Sequence, residues 1–325
     1  MSVLPSATWR FLPPRRRCVR SVLYHHVGDD HPCISGIGVR IRPEEFARHV
    51  ARLVREYTPV TMRQVLEGDL PPRPLLVTFD DCYRSVLEVA APVLRAHRVP
   101  ATLFLTTGPV FRGRALLDHV ASLAEVETRG NLASLLAGTR FAGRPEIRTA
   151  SDLLLGACPA IGSADRRELA EAIAARLGTS LEELVRQSNL FLRPDDLPRL
   201  VEAGFEFGGH TDTHVHVRAL SEAELGPELV QPAATIAAAI GRPVDTFSYP
   251  FGSAVDHTAA AAMALASGGC RATFLVEGAA NVRNPGSTFY RSSVAKMDNR
   301  EAIVELEVLA RLRAMRKGPP VARRS

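Results

Sequence analysis

The run Pro74-Leu75-Leu76-Val77-Thr78-Phe79 is apolar without alternation, the mark of a strand buried on both faces, and it stops at Asp80-Asp81. Ser85 to His97 follows with helical spacing, and Ala101 to Thr106 is a second buried strand. Strand, helix and strand joined this closely form a βαβ unit, which commits the chain to a parallel sheet covered by helices. The alternation extends both ways. Ser21 to Tyr24 is a strand ending at His25-His26, and Pro43 to Tyr57 is a helix with Phe46, Val50, Leu53 and Val54 on one face. Phe205-Glu206-Phe207, Thr246 to Tyr249 and Ala272 to Leu275 are further strands. Helices are predicted over Pro194 to Ala203, Leu220 to Ile240, Val255 to Ala266 and Asn299 to Met315. The fold class is α/β, and 325 residues suit one barrel as well as two smaller domains.

From about Leu116 to Leu190 the strand signals vanish. Helical spacing takes over, most clearly in Ala164 to Leu177 and Ser180 to Gln187, as expected of an insertion into the scaffold. It follows a strand whose C-terminal end belongs to the face where barrels carry their sites, so it is expected beside the mouth of the site, shaping access. The net charge of +5 is concentrated at the ends: Arg10, Arg15, Arg16, Arg17 and Arg20, then Arg311, Arg313, Arg316, Lys317, Arg323 and Arg324. The division that follows is a basic extension over 1–20, a barrel over 21–310 and a basic tail over 311–325. Solvated termini explain the charge; weak contact with an anionic membrane surface is the sharper alternative. Nucleic acid is not expected, because aromatics are not interleaved with these basic residues. The five cysteines are scattered without a C-x-x-C pair, so neither a zinc knuckle nor a disulfide framework is indicated. No signal peptide or membrane-spanning run is seen, which points to a cytoplasmic protein, at most peripheral at the membrane.

Two stretches carry chemistry. Asp80 and Asp81 end a buried strand, where barrel enzymes place catalytic groups. They would serve equally as caps of the next helix. Adjacent carboxylates repel unless a cation neutralises one of them. The second stretch, His210-Thr211-Asp212-Thr213-His214, sits behind Gly208-Gly209. Two neutral imidazoles and one carboxylate leave an open position on a divalent metal, as catalytic zinc sites require, and a spare carboxylate can take a proton from water. The segments are far apart in sequence, so only a fold that aligns strand ends can join them. There is no G-x-S-x-G elbow, no P-loop and no G-x-G-x-x-G after a strand, and Ile34-Ser35-Gly36-Ile37-Gly38-Val39 reads as a turn with two glycines.

VTFDDCYRS, GGHTDTHVHVRALS and FSYPFG resemble the first three motifs of the NodB-homology polysaccharide deacetylases, carbohydrate esterase family 4. SVLYHHVGDD is similar to the Y-H-x-V opening of a subgroup linked to bacterial exopolysaccharides. The resemblance runs from about residue 20 to 310, with the helical stretch as an insertion. It implies a distorted (β/α) barrel that removes N-acetyl groups from an amino sugar or oligo/polysaccharide. Asp81, His210 and His214 would hold a divalent metal, zinc first, with cobalt, nickel or manganese as alternatives. Asp80 would be the general base. Thr211 would orient the loop, and Tyr249, Pro250 and Phe251 would contact substrate or supply a backbone N–H to the oxyanion.

The chain departs from the family pattern in three places. Ser248 stands where the third motif has its arginine, so Asp80 is expected to lack its usual partner. The only tryptophan, Trp9, precedes every motif, and no histidine follows His257 to act as the family's general acid. His25, at the end of the first strand, is the expected replacement, with His26 as the fallback if the register is shifted by one. His216 and His257 are expected to be surface or loop residues. The alternatives are an amidohydrolase of a small non-sugar amide, which the missing arginine and tryptophan leave open, and a glycan-binding protein with weakened catalysis.

Overall fold

The structure is a computed structural model that describes residues 19–276 and 288–293. The expected helix over Asn299 to Met315 and both basic ends lie outside the described residues, except Arg20, which already belongs to the first strand. Among the described residues, eight strands form the barrel: β1 (Arg20–Tyr24), β2 (Pro74–Asp81), β3 (Ala101–Leu105), β4 (Phe205–Gly209), β5 (Thr246–Ser248), β6 (Ala272–Leu275), β7 (Thr288–Tyr290) and β8 (Ser292–Ser293). All pair in parallel, in the order β7-β6-β5-β4-β3-β2-β1-β8. One segment nearly closes the ring. β7 pairs with β6, β8 pairs with β1, and Arg291 sits between them with its N–H on the Leu275 carbonyl. This seam was not foreseen, because Thr288-Phe289-Tyr290 is short and only half-buried.

β2 is buried along its whole length, which is why it reads as an unbroken apolar run. Tyr24, Phe46, Phe79 and Phe205 lie in the core between the strands and the outer helices, while Phe104 and Phe274 pack with Leu76, Val60 and Met62. Helix α1 (Pro43–Glu56) buries Phe46, Val50 and Leu53 as its spacing predicts. Two predicted helices are less regular. The stretch after β2 has a wide π turn over Val86–Ala90 before α2 (Ala91–Ala96). Leu220 to Ile240 likewise splits into Glu222–Leu225, a π turn over Gly226–Val230, and a last helix Gln231–Ile240. Pro92 and Pro232 each lack the N–H that would close an α turn there. The helix expected from Val255 starts later, at Ala259, because the Thr258 hydroxyl accepts from the Ala261 N–H and caps it.

The insertion has its own core. Helices α3 (Leu117–Glu127), α4 (Ser163–Arg176) and α5 (Leu181–Ser188) surround Val120, Leu132, Leu153, Ile173 and Leu184. No helix among the described residues is long and apolar enough to cross a membrane.

Candidate active site

Strand register sets the site. Asp81 is level with Leu105 and Leu105 with Gly209, so the residue after β4, His210, emerges beside the end of β2. Tyr24 is level with Phe79, which puts His25 beside Asp80. Gly208 permits this closeness: a Cβ there would lie 2.4 Å from the Phe104 ring. The loop after β4 is tied down through its backbone. His210 N–H donates to the Leu105 carbonyl, Gly108 N–H to the Asp212 carbonyl, and Asp212 and Thr213 N–H to the Glu228 carboxylate. The Thr211 hydroxyl accepts from His214 N–H at 2.9 Å.

Asp81 Oδ1 lies 3.7 Å from His210 Nε2 and 3.5 Å from His214 Nε2. The three ligand-type atoms fall within 4.8 Å of one another. Each imidazole is fixed through its other nitrogen. His210 Nδ1 donates to the Ser248 carbonyl at 2.8 Å, and His214 Nδ1 donates to Asp118 Oδ1 at 2.8 Å. Both Nε2 lone pairs are thereby left facing Asp81. Asp81 Oδ1 is buried without a hydrogen-bond partner, a costly state for a carboxylate oxygen unless a cation meets it. Two imidazole nitrogens and one such oxygen fit a divalent ion of the zinc class. Burial lowers His210 to about 4, which keeps it neutral and able to ligate. Burial also acts downward on His214, but the Asp118 and Asp81 carboxylates outweigh it and raise that imidazole. Asp81, Thr211, His214 and Phe251 all have φ between 53° and 74°. At roughly 1–2 kcal/mol each, four left-handed non-glycine residues on one site are strain held for geometry.

Asp80 is not without a partner, contrary to expectation. Arg291, from the seam of the barrel, grips it with Nη1 on Oδ1 at 2.6 Å and Nη2 on Oδ2 at 2.7 Å. Ser248 has the short side chain that leaves room for this: Arg291 Nη2 donates to its Oγ at 2.5 Å, and that hydroxyl reaches Asp80 at 3.4 Å. Burial alone would raise the Asp80 carboxyl, but Arg291 and then His210 hold it at about 2. Asp80 Oδ2 is 3.7 Å from His210 Nε2, next to the open side of the cluster.

All of this borders one cavity of about 600 Å³. His25, Asp80, Asp81, His210, His214 and Phe251 line it. The insertion contributes Asp118, His119, Ser151, Leu154 and Leu155 to its wall.

A family model described as polysaccharide deacetylase matches residues 67–130 and 171–267. The chain belongs to the polysaccharide deacetylase family. As a deacetylase of this family it is a hydrolase acting on amide C–N bonds. No curated protein matches. Among solved structures, a Streptococcus pyogenes deacetylase, PplD, in complex with acetate aligns with TM-score 0.59 at 13% identity, covering 90% of this chain and 99% of its own. A de-N-acetylase from Aggregatibacter actinomycetemcomitans aligns with TM-score 0.58 at 15% identity, covering 89% and 99%. IcaB from Ammonifex degensii gives 0.55 at 16%, covering 90% and 97%. At these identities the likeness is one of fold: the NodB-type barrel, nearly closed, with helices around it.

The deacetylase motifs place some residues elsewhere than expected. Tyr249 packs in the core against Phe247 and His257, and neither it nor Pro250 lines the cavity; Phe251 and Gly252 do. His26 is no fallback for His25. Its Nδ1 meets the Ser85 hydroxyl at 3.0 Å, its Nε2 meets the Asp29 carbonyl at 3.2 Å, and the ring packs on Tyr83 outside the cavity. His257 is exposed, but His216 is buried, stacked 3.9 Å from the Phe251 ring. Sequence reading missed Arg291, Asp118 and His119. It also dismissed Ser35 to Val39 as a mere turn, although these residues form one cavity wall.

Proposed function

We propose that this deacetylase removes N-acetyl groups from an amino sugar or its oligo- or polysaccharide, with a divalent metal held by Asp81, His210 and His214. The observation that carries the reading is the unpartnered Asp81 oxygen facing two oriented imidazoles, with Asp80 beside it. The de-N-acetylase description of the Aggregatibacter structure supports the choice of bond. When bound, the ion supplies Lewis acidity, lowering the pKa of water toward neutrality and drawing charge from the amide oxygen. Asp80, ionised and aimed by Arg291, takes the proton from the attacking water. The Phe251 backbone N–H is the proposed donor to the oxyanion.

His25 is the proposed acid for the departing amine. It lines the cavity at the end of β1, beside Asp80, and burial lowers its imidazole against the upward pull of Asp81 and Asp80. His25→Ala is expected to cut turnover about 100-fold, the low end for a general acid. Metal content should be unchanged and the alkaline limb of the pH profile should disappear. Full activity with an unaltered profile would remove His25 from the reaction.

The apolar part of the cavity wall, Ile37, Val39, Leu116 and Leu155, is the observation in favour of the second reading, a small non-sugar amide. The test of both is acetate release from N-acetylated glycans and small acetylated amines, before and after chelation. Chelator is expected to abolish release and zinc or cobalt to restore it. Undiminished turnover in a protein shown free of metal would defeat the metal-dependent reading.

A further inference from the structure

Helix α3 does more than border the cavity. Asp118 and His119, in its first turn, are both buried, and both line the cavity. Asp118 uses both carboxylate oxygens. Oδ1 accepts from His214 Nδ1 at 2.8 Å, and Oδ2 accepts from Arg166 Nη2, on helix α4, at 2.9 Å. Arg166 is 1% exposed, so this is an interior ion pair, and its guanidinium lies 5.8 Å from the Phe251 ring that packs on His214. The His119 contact has a fixed direction. The Leu116 N–H donates to His119 Nδ1, so His119 carries its proton on Nε2 and donates to the Tyr83 hydroxyl at 3.3 Å. Tyr83 and Asp81 both line the cavity. One of the three proposed ligands, His214, thus leans directly on the insertion. His210, by contrast, leans on the barrel itself through Ser248.

We propose that Asp118, braced by Arg166, is a positioning residue that fixes His214 as a metal ligand, so that the insertion is part of the metal centre and not only a rim around it. The inference rests on the reading of Asp81, His210 and His214 as the metal ligands. A carboxylate on the far nitrogen of a ligating histidine sets its tautomer, stops ring rotation and makes the facing nitrogen more basic. Without it, the His214 ring is held by packing on Phe251 and His210. Arg166 lies within residues 131–170, which the family model does not match.

The experiment measures zinc affinity of the full chain by competition with a chromophoric chelator, together with the visible spectrum of the cobalt(II)-loaded protein. Asp118→Ala is expected to weaken zinc binding about 10–100-fold, the usual range for such a partner, and to alter the cobalt spectrum. Asp118→Asn offers one acceptor where two donors converge, so it should fall between wild type and Asp118→Ala, and it is the variant to use if Asp118→Ala does not fold. Arg166→Met should weaken binding less than Asp118→Ala, because the His214 contact survives. A purely structural Asp118 would lower the melting temperature of the metal-free protein and leave zinc affinity and the cobalt spectrum as in wild type; that result would overturn the inference. If wild type itself binds no zinc, or binds it as well after His210→Ala and His214→Ala, the ligand assignment fails instead.

Discussion

Asp80→Asn is expected to keep metal bound and to lose about 10²–10⁴-fold in kcat/KM, the range for a general base. The amide has nearly the shape of the carboxylate but cannot accept a proton at neutral pH. The three proposed ligands are untouched: Asp81, His210 and His214 keep their own contacts, and His210 is oriented by Ser248 and not by Asp80. The asparagine oxygen can still accept from one arm of Arg291, so the barrel seam stays tied at one point where the wild type has two. Metal stoichiometry and acetate release measured on the same preparation separate the two effects. Near wild-type turnover would show that Asp80 is not the base. Loss of metal together with activity would show that it supports the cluster instead.

Much of this site was legible in the sequence for a geometric reason. Asp80, Asp81, His210 and His214 follow strands with strong buried signals, and in a parallel sheet strand ends fall on one face whatever the intervening chain does. His25 became visible the same way, because Tyr24 ends a strand adjacent to β2. What stayed hidden sits where local pattern carries no tertiary information. Arg291 lies in a six-residue segment whose two halves pair with different strands, and an arginine in such a stretch reads as exposed although it is 1% exposed. Asp118 falls in the first turn of a helix, a position where an acidic residue has an ordinary reason to be. His216 looked like a loop residue because nothing local announces the Phe251 ring that covers it. A substitution at one motif position, Ser248 for arginine, is also uninterpretable alone. It acquires meaning only when the guanidinium arriving from the barrel seam is seen filling that space.

Arg291→Met is expected to destabilise the fold by about 3–5 kcal/mol, the cost of stranding one member of a buried ion pair. The Arg291 side chain is 0% exposed and that of Asp80 3%, so water cannot take over the lost contacts. Methionine preserves much of the volume between Phe104 and Phe274, the rings beneath the guanidinium, and this limits the cavity contribution. Arg291→Lys keeps the charge but not the two-pronged grip on Asp80, and should fall in between. The pH dependence identifies the cause. In wild type the Asp80 carboxyl is held at about 2, below its ordinary value near about 4, so its contribution to stability is full above that value and is lost as pH falls toward 2. In Arg291→Met the same carboxyl is buried without its cation, its pKa rises above the ordinary value, and the sign reverses: stability is best in acid and falls as pH rises. The gap between the two proteins should therefore be widest near neutral pH and narrow toward pH 4, in denaturant unfolding carried out with chelator present. A gap that is constant or widens on acidification would mean that Arg291 stabilises the seam by packing alone. Activity supplies the second reading. Asp80 without its guanidinium is free to turn away from the cluster, so turnover should fall even in the fraction that remains folded and metal-loaded, whereas Arg291 acting only at the seam would leave that fraction fully active.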